Sequence, residues 1–353
     1  MKTMRRYAFA GMSLLMIVSI MAAQTFQLKT RVDLVVVPAS VQNSEGKLVP
    51  GLTQQDFTIF EDGLQQAISN FSADPQPLSA AIVIDTGMGG IAQRRLVPLF
   101  ISVTGGFSEF DEMAAFRYDH LVHQLADFTS DHEKIEKSFD VVKRIAEKQP
   151  ARVPSGTPAP TAPKIIQLLL GALNAGESAG RPPGDPSAPP SQRLPTTKGR
   201  QVPPSRVLYD ALFEAAKALE TRPAGRRRII FIVSDGQVSG ENQHSYDEIT
   251  NLLLRDEIQL YAVTQDSAAL EGRFGVLGAL ANATGGEAFR GITTNSMETA
   301  FARITEQARN QYVLGYVSAN EPVGGLPTIR TIEVRGRDPK WKITHRKGYT
   351  QGS

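Results

Sequence analysis

The chain predicts an α/β fold: a doubly wound, mostly parallel sheet with helices on both faces, joined to a small β-sandwich built from both chain ends. Three observations carry this expectation. Ala80 to Asp85 and Ile229 to Asp235 are apolar runs that each stop at a carboxylate, as buried strands of a parallel sheet do at the edge where ligands bind. From Leu78 to about Gln311, strand patterns alternate with helical ones, which argues for a sheet covered on both sides. Short alternating segments return before and after that stretch, and neither set has enough strands to bury a face alone.

Taken in order, residues 1–23 read as an export signal. Lys2, Arg5 and Arg6 precede the mostly apolar run Tyr7–Ile20, and Met21-Ala22-Ala23 is a small-residue exit. The rival reading is an uncleaved anchor, since the run is close to the shortest length that spans a bilayer. With the signal removed, no transmembrane segment is expected. The 38 Lys and Arg include three in the signal, leaving 35 basic against 36 acidic side chains. That balance gives no reason to expect a nucleic-acid partner. Cysteine is absent, which excludes disulfides, thiolate metal sites and a cysteine nucleophile.

Residues 28–76 form the first part of the expected sandwich. Val32 to Val41 alternates, Asn43-Ser44-Glu45-Gly46 is a turn, and Phe57–Phe60 is a strand closed by the hairpin signal Glu61-Asp62-Gly63. Gln66–Phe71 is expected to return antiparallel to it. Residues 77–310 form the α/β domain. Its expected strands are Ala80–Asp85, Glu112–Tyr118, Arg228–Ser234, Gln259–Thr264 and Glu287–Phe289, with Leu121–Phe128 as an antiparallel edge. Its expected helices are Ala92–Val103, Asp131–Lys148, Val207–Glu220, Ser245–Asp256, Arg273–Ala283 and Met297–Gln307. Thirteen of the 22 prolines fall between Pro150 and Pro204, so residues 149–205 read as an extended insertion, interrupted by one short apolar helix at Lys164–Leu173. Residues 311–350 supply the second part of the sandwich through Tyr312–Val317, Thr328–Arg335 and Lys342–Arg346, with turns at Glu321–Gly325 and Asp338-Pro339.

Several chemistries can be weighed on the residues. Gly87-Met88-Gly89-Gly90-Ile91-Ala92 matches a dinucleotide fingerprint, but Asp85 at the strand end repels phosphates. An aspartyl phosphotransfer site lacks its second carboxylate, because position 87 is glycine. Ser234, beside Asp235, has no obvious base. His120 and His123 point to opposite faces of a strand and cannot share a metal. Arg226-Arg227-Arg228 is expected in solvent at the amino end of its strand. No enzyme is expected.

The order of motifs resembles that of von Willebrand factor type A domains, in the form common in exported bacterial proteins of the acidobacterial type. The carriers are Pro50-Gly51-Leu52-Thr53-x-x-Asp56-Phe57-x-x-Phe60-Glu61-Asp62-Gly63, Ile84-Asp85-Thr86 and Asp127-Phe128-Thr129-Ser130-Asp131. They continue through Leu208-Tyr209-Asp210-Ala211-Leu212, Val233-Ser234-Asp235-Gly236, Gln311-Tyr312-Val313-Leu314-Gly315-Tyr316 and Arg346-Lys347-Gly348-Tyr349.

The resemblance implies a Rossmann-like fold and a metal-ion-dependent adhesion site, in which carboxylates and hydroxyls hold Mg2+ and leave one position for a partner's carboxylate. Asp85 and Asp235 match the two acids. The hydroxyl positions are occupied by Gly87, Gly89 and Arg206, so the site is degenerate, Mg2+ is doubtful and no cofactor is expected. Arg206 either reaches the Asp85/Asp235 pair and neutralises it where magnesium would sit, or points into solvent beside the insertion. Asp85, Gly87, Gly89, Arg206 and Asp235 are thus the candidate partner-binding surface. The expectation is an exported protein-binding or scaffold module in the periplasm, on the cell envelope or secreted. A Mg2+-dependent adhesion module is the alternative, and a phosphatase or nucleotide-binding protein a third reading.

Overall fold

Alternation of apolar residues draws the first strand, β1 (Leu34–Gln42), whose Val35, Val37, Ala39 and Val41 are buried. The structure is a computed structural model and describes residues 34–88, 105–148, 206–238, 241–264, 274–290, 294–320 and 328–351. The expected signal, the helix at Ala92–Val103, the proline-rich insertion with its apolar helix and the turn at Glu321–Gly325 lie outside the described residues. After a 3-10 turn closed by Thr53 and Asp56 as a capping box, β2 (Phe57–Glu61) leads into β3 (Leu64–Gln66). Asp62 and Gly63 join them at φ of 49° and 81°, the mirror-image turn that Asp-Gly favours because glycine adopts positive φ without a Cβ clash.

The expected strand Gln66–Phe71 is corrected to two. Its first residue ends β3 beside β2, whereas β4 (Ile68–Ser72) crosses to another sheet. Phe71 drives the crossing: its ring centroid lies 6.1 Å from that of Phe57 and 6.0 Å from that of Tyr312.

Next comes β5 (Leu78–Asp85), all eight of whose residues are buried. It is followed by β6 (Glu112–Tyr118) and β7 (Val122–Thr129). The single helix expected over Asp131–Lys148 is corrected to α1 (His132–Ser138), capped by Asp131, and α2 (Asp140–Lys148). They break at Phe139, which is fully buried with Ile135 and Val142 in one apolar cluster. The chain then forms α3 (Leu208–Glu220), β8 (Arg227–Val233), α4 (Tyr246–Arg255), β9 (Gln259–Thr264), α5 (Gly275–Thr284), β10 (Ala288–Arg290) and α6 (Thr294–Arg309). It ends in β11 (Tyr312–Val317), β12 (Thr328–Gly336), β13 (Lys342–His345) and β14 (Gly348–Gln351). Among the described residues no helix is long and apolar enough to cross a membrane.

Six strands make one sheet in the order β10-β9-β8-β5-β6-β7. All neighbours are parallel except β7, which runs antiparallel to β6 on the edge. Side chains alternate between two cores. Ala81 and Val83 join the α3, α4 and α5 side, whereas Leu78, Ala80, Ile82 and Ile84 join the side of α1 and α6. From β5 the chain moves outward to β6 and β7, then returns to β8 on β5's other flank. The strand order therefore reverses between β5 and β8, where such sheets open a crevice at their carboxyl ends.

The remaining strands make two four-stranded sheets, β13-β1-β11-β4 and β14-β12-β2-β3. Both draw on residues near each end of the chain, and Val35, Val37, Ile59, Leu314, Tyr316 and Ile332 share one apolar cluster.

The arginine run is a correction. Arg227 is 5% exposed and bonds the Gln311 side chain. Arg226 donates to Ser79 Oγ and to the carbonyls of Leu78 and Phe110, and Arg228 to those of Asp256 and Arg222. At the amino edge of the sheet Arg226 and Arg228 bond main-chain carbonyls and Arg227 a side-chain amide, instead of facing solvent.

Glu61 organises the two small sheets from within. It is fully buried and accepts from Tyr316 Oη at 2.7 Å, Ser318 Oγ at 2.6 Å, Asn320 Nδ2 at 2.8 Å and Tyr349 Oη at 3.1 Å. Removing the carboxylate leaves those donors unpaired, each at a desolvation cost. Glu61→Ala is expected to lower stability to urea by about 3 kcal/mol or more. A loss under about 1 kcal/mol, the worth of a single ordinary hydrogen bond, would show that the network does not hold the sheets.

Candidate functional site

Asp85 closes β5 because the chain must turn there. Thr86 N and Oγ1 both donate to Tyr118 O, at 2.8 and 2.9 Å, tying the turn to the end of β6. Gly87 N then folds back onto Asp85 Oδ1 at 2.9 Å. One strand away, Ser234 follows β8 and its Oγ donates to Asp85 Oδ2 at 2.9 Å. Tyr118 Oη lies 2.8 Å from Ser234 Oγ and 3.2 Å from Asp85 Oδ2, so one phenolic proton serves a three-oxygen cluster. Asp85, Tyr118 and Ser234 are all fully buried.

Arg206 enters from the segment before α3. Its main chain is held by Asn242, whose Nδ2 donates to Arg206 O at 3.2 Å. The Oδ1 of the same side chain accepts from Tyr209 N at 2.8 Å and caps the start of α3. The guanidinium Nη1 bonds both oxygens of Asp235, and Nη2 donates to Gly87 O at 2.9 Å. Arg206 is 5% exposed, against 18% for the Asp235 side chain, so the ion pair lies at the mouth of the crevice with Asp85 beneath it. Asp235 Oδ1 also accepts from Gln237 N at 3.1 Å.

Burial pushes the Asp85 carboxyl up to about 7, and the nearby Asp235 charge adds to the rise. Arg206, Ser234 and Gly87 oppose it. Desolvation works against the charge of Arg206 as well, but Asp85 and Asp235 outweigh it and raise its pKa.

The structure thus brings four of the five sequence-derived candidates, Asp85, Gly87, Arg206 and Asp235, into one cluster. Gly89 lies outside the described residues. The histidines take no part: His120 is two-thirds exposed and pairs with Asp119 at 3.0 Å. Tyr118, Ser234 and Asn242 complete the arrangement. Sequence reasoning had a signal for Tyr118, a hydroxyl-bearing residue at the end of the neighbouring strand, and none for Asn242, which acts from a loop.

The donor set does not fit an octahedral magnesium shell. Both Asp235 oxygens face a guanidinium, and both Asp85 oxygens already accept protein donors. A Cβ built at Gly87 would lie 3.2 Å from Asp85 Oδ1 and 3.4 Å from Arg206 Cγ, so a hydroxyl-bearing side chain there needs a small shift of the Asp85 carboxylate and packs directly against the arginine. Among the described residues no group of three or more acidic or histidine side chains is placed to hold a metal ion.

No protein-family model matches the sequence, and no curated protein matches it. Similar solved structures include the conserved hypothetical protein BatB from Bacteroides thetaiotaomicron, at 12% identity and a TM-score of 0.38, over 66% of this chain and 98% of that one. An aerotolerance-related membrane protein from Bacteroides fragilis gives 12% and 0.38 over 65% and 98%. The SpRpn10 VWA domain gives 12% and 0.31 over 61% and 87%. At these levels the functional reading rests on the chain's own residues.

The proton on Asp85 gives a test. A carboxyl raised from 3.8 to about 7 on folding binds its proton more tightly in the native state. Its contribution is therefore full below pH 3.8 and is lost as pH rises toward 7, at about 1.4 kcal/mol per pH unit at most. Asp85→Asn, which mimics the protonated form, is expected to match the wild type in urea midpoint near pH 4 and to exceed it increasingly up to pH 7. Parallel profiles from pH 4 to 8 would show that Asp85 is ionised throughout.

Proposed function

We propose that the protein is an exported, non-catalytic module of von Willebrand factor A type that binds or scaffolds another protein outside the cytoplasm, with a guanidinium standing in for the metal ion. The observation that carries this is the Arg206 side chain. It bridges Asp235 and Gly87 O above Asp85, at the switch point between β5 and β8 where the resemblance expects magnesium. The motif order of the sequence supports the family. The two four-stranded sheets with their shared core are, in this reading, the small β-sandwich built from both chain ends. The apolar segment after Lys2, Arg5 and Arg6 supports export, to the periplasm, the envelope or the medium.

The same geometry disfavours the phosphatase and nucleotide readings. A nucleophilic carboxylate must reach its substrate, and Asp85 is fully buried beneath an ion pair. Among the described residues the crevice also offers no accessible hydroxyl–base pair: Ser234, whose proton goes to Asp85, and Tyr118 are fully buried with it.

Magnesium titration by calorimetry tests the reading. The wild type is expected to show no micromolar binding. Arg206→Thr combined with Gly87→Ser and Gly89→Ser restores the hydroxyls and is expected to gain affinity. Micromolar binding in the wild type that disappears in Asp85→Ala would establish the metal-dependent adhesion reading instead.

A further inference from the structure

A second recess lies away from the carboxyl edge. It is a groove of about 640 Å³ between α4 and the face of β12 and β14, within the usual size of ligand clefts, which favour boundaries between structural units. One wall carries Ile329, 41% exposed, and its cross-strand neighbour Thr350. The other is α4, with Leu252 at the base and Glu248 and Arg255 near its two ends. Phe213 and His244 close the Glu248 end.

His244 is built into that end with one defined ring orientation. Its Nδ1 lies 2.9 Å from Asp210 Oδ1, and its own backbone N donates to the same oxygen at 3.0 Å. An ionised carboxylate only accepts, so Nδ1 carries the proton, and in the neutral ring Nε2 is left as an acceptor. The ring stacks on Phe213 with centroids 3.7 Å apart and planes 15° apart. Beside it, Glu248 Oε2 accepts from Ser245 N and Oγ at 2.7 and 3.0 Å, while Oε1 makes no hydrogen bond among the described residues. This end of the groove therefore presents two acceptors, one of them anionic, and an aromatic stack.

The cation at the opposite end does not cancel this character. Arg255 is engaged bidentately by Asp256 at 2.7 and 2.8 Å and lies 3.9 Å from Glu220.

We propose that this groove docks a lysine or arginine side chain of a protein partner. The cationic head sits between His244 Nε2 and Glu248, and flanking apolar residues cover Ile329 and Leu252. A basic head satisfies both acceptors at once. An acidic or purely apolar segment leaves them unpaired. The proposal names the chemistry of a contact on another face and does not depend on how Arg206 occupies the crevice.

The test uses the full chain and three tripeptides: acetyl-Ile-Lys-Ile-methylamide and its norleucine and glutamate counterparts. Binding is read from the His244 imidazole nitrogens and the Ile329 methyls by NMR. The lysine peptide is expected to shift both sets of signals with at least about tenfold higher affinity than norleucine, equivalent to about 1.4 kcal/mol. The glutamate peptide is expected to bind more weakly still. Glu248→Gln keeps the capping box, because glutamine serves at that position, and is expected to remove the preference for lysine while the fold stays intact. Equal binding of lysine and norleucine peptides, absence of shifts at His244 and Ile329, or a lysine preference that survives Glu248→Gln would overturn the proposal.

Discussion

Two carboxylates at the ends of neighbouring buried strands cannot both lose their water without compensation. Asp85 and Asp235 are brought to that position by the sheet itself, because β5 and β8 are adjacent and parallel and each apolar run stops at an acid. The rest of the crevice can be understood as the answer to that constraint. Arg206 neutralises the outer carboxylate, Tyr118 and Ser234 surround the inner one, and the residual mismatch appears as a raised Asp85 pKa. Removing only one partner from such a set is costly, since the group left behind remains buried.

The two small sheets solve the same problem differently. Glu61 is buried, and among the described residues its nearest ion-pair partner is Arg330 Nε at 3.9 Å. Its charge is spread over four hydrogen bonds whose donors come from β11, β14 and the segment after β11. Those donors include Tyr316 and Tyr349, which belong to sequence motifs far from the one that carries Glu61. A motif such as Phe60-Glu61-Asp62-Gly63 therefore encodes more than a hairpin. Its turn sets the register of β2 with β3, its Asp62 holds Arg330 at 3.0 Å and Thr331 Oγ1 at 2.9 Å, and its glutamate gathers the chain's last strands.

Much of this was legible in the sequence because it depends on local pattern. Apolar runs gave the central strands, and Asp-Gly gave the hairpin. Asp131 gave the start of α1, and Leu121–Phe128 was readable as the antiparallel edge β7. What failed depended on distant partners. Gln66–Phe71 looks like one strand until Phe71 finds Phe57 and Tyr312, and Asp131–Lys148 looks like one helix until Phe139 is pulled into the core. The arginine run at 226–228 looked solvated because its acceptors, the carbonyls of Leu78, Phe110, Arg222 and Asp256, carry no sequence signal. At the crevice the acids were visible by their position after apolar runs. The sequence left Arg206 with two destinations, and Asn242 from a remote loop fixes the one observed.

In the reading proposed above, an arginine in place of a cation changes what such a crevice can do, not merely what fills it. A bound metal offers a coordination position that a partner's carboxylate can complete, so recognition depends on ion supply. A guanidinium is permanently charged, offers no coordination vacancy, and here directs donors to Asp235 and Gly87 O within the protein. Its contact with Gly87 O ties the turn after β5 to the segment before α3. Among the described residues the crevice then works as a brace, linking the turn after β5, the segment before α3 and Asp235 through one side chain. In that reading, specificity comes from the shape and chemistry of the surfaces those elements display. The groove formed by α4, β12 and β14 is such a surface: Asn242 caps α3 next to Arg206, and Asp210 of that helix orients His244 at the groove's end.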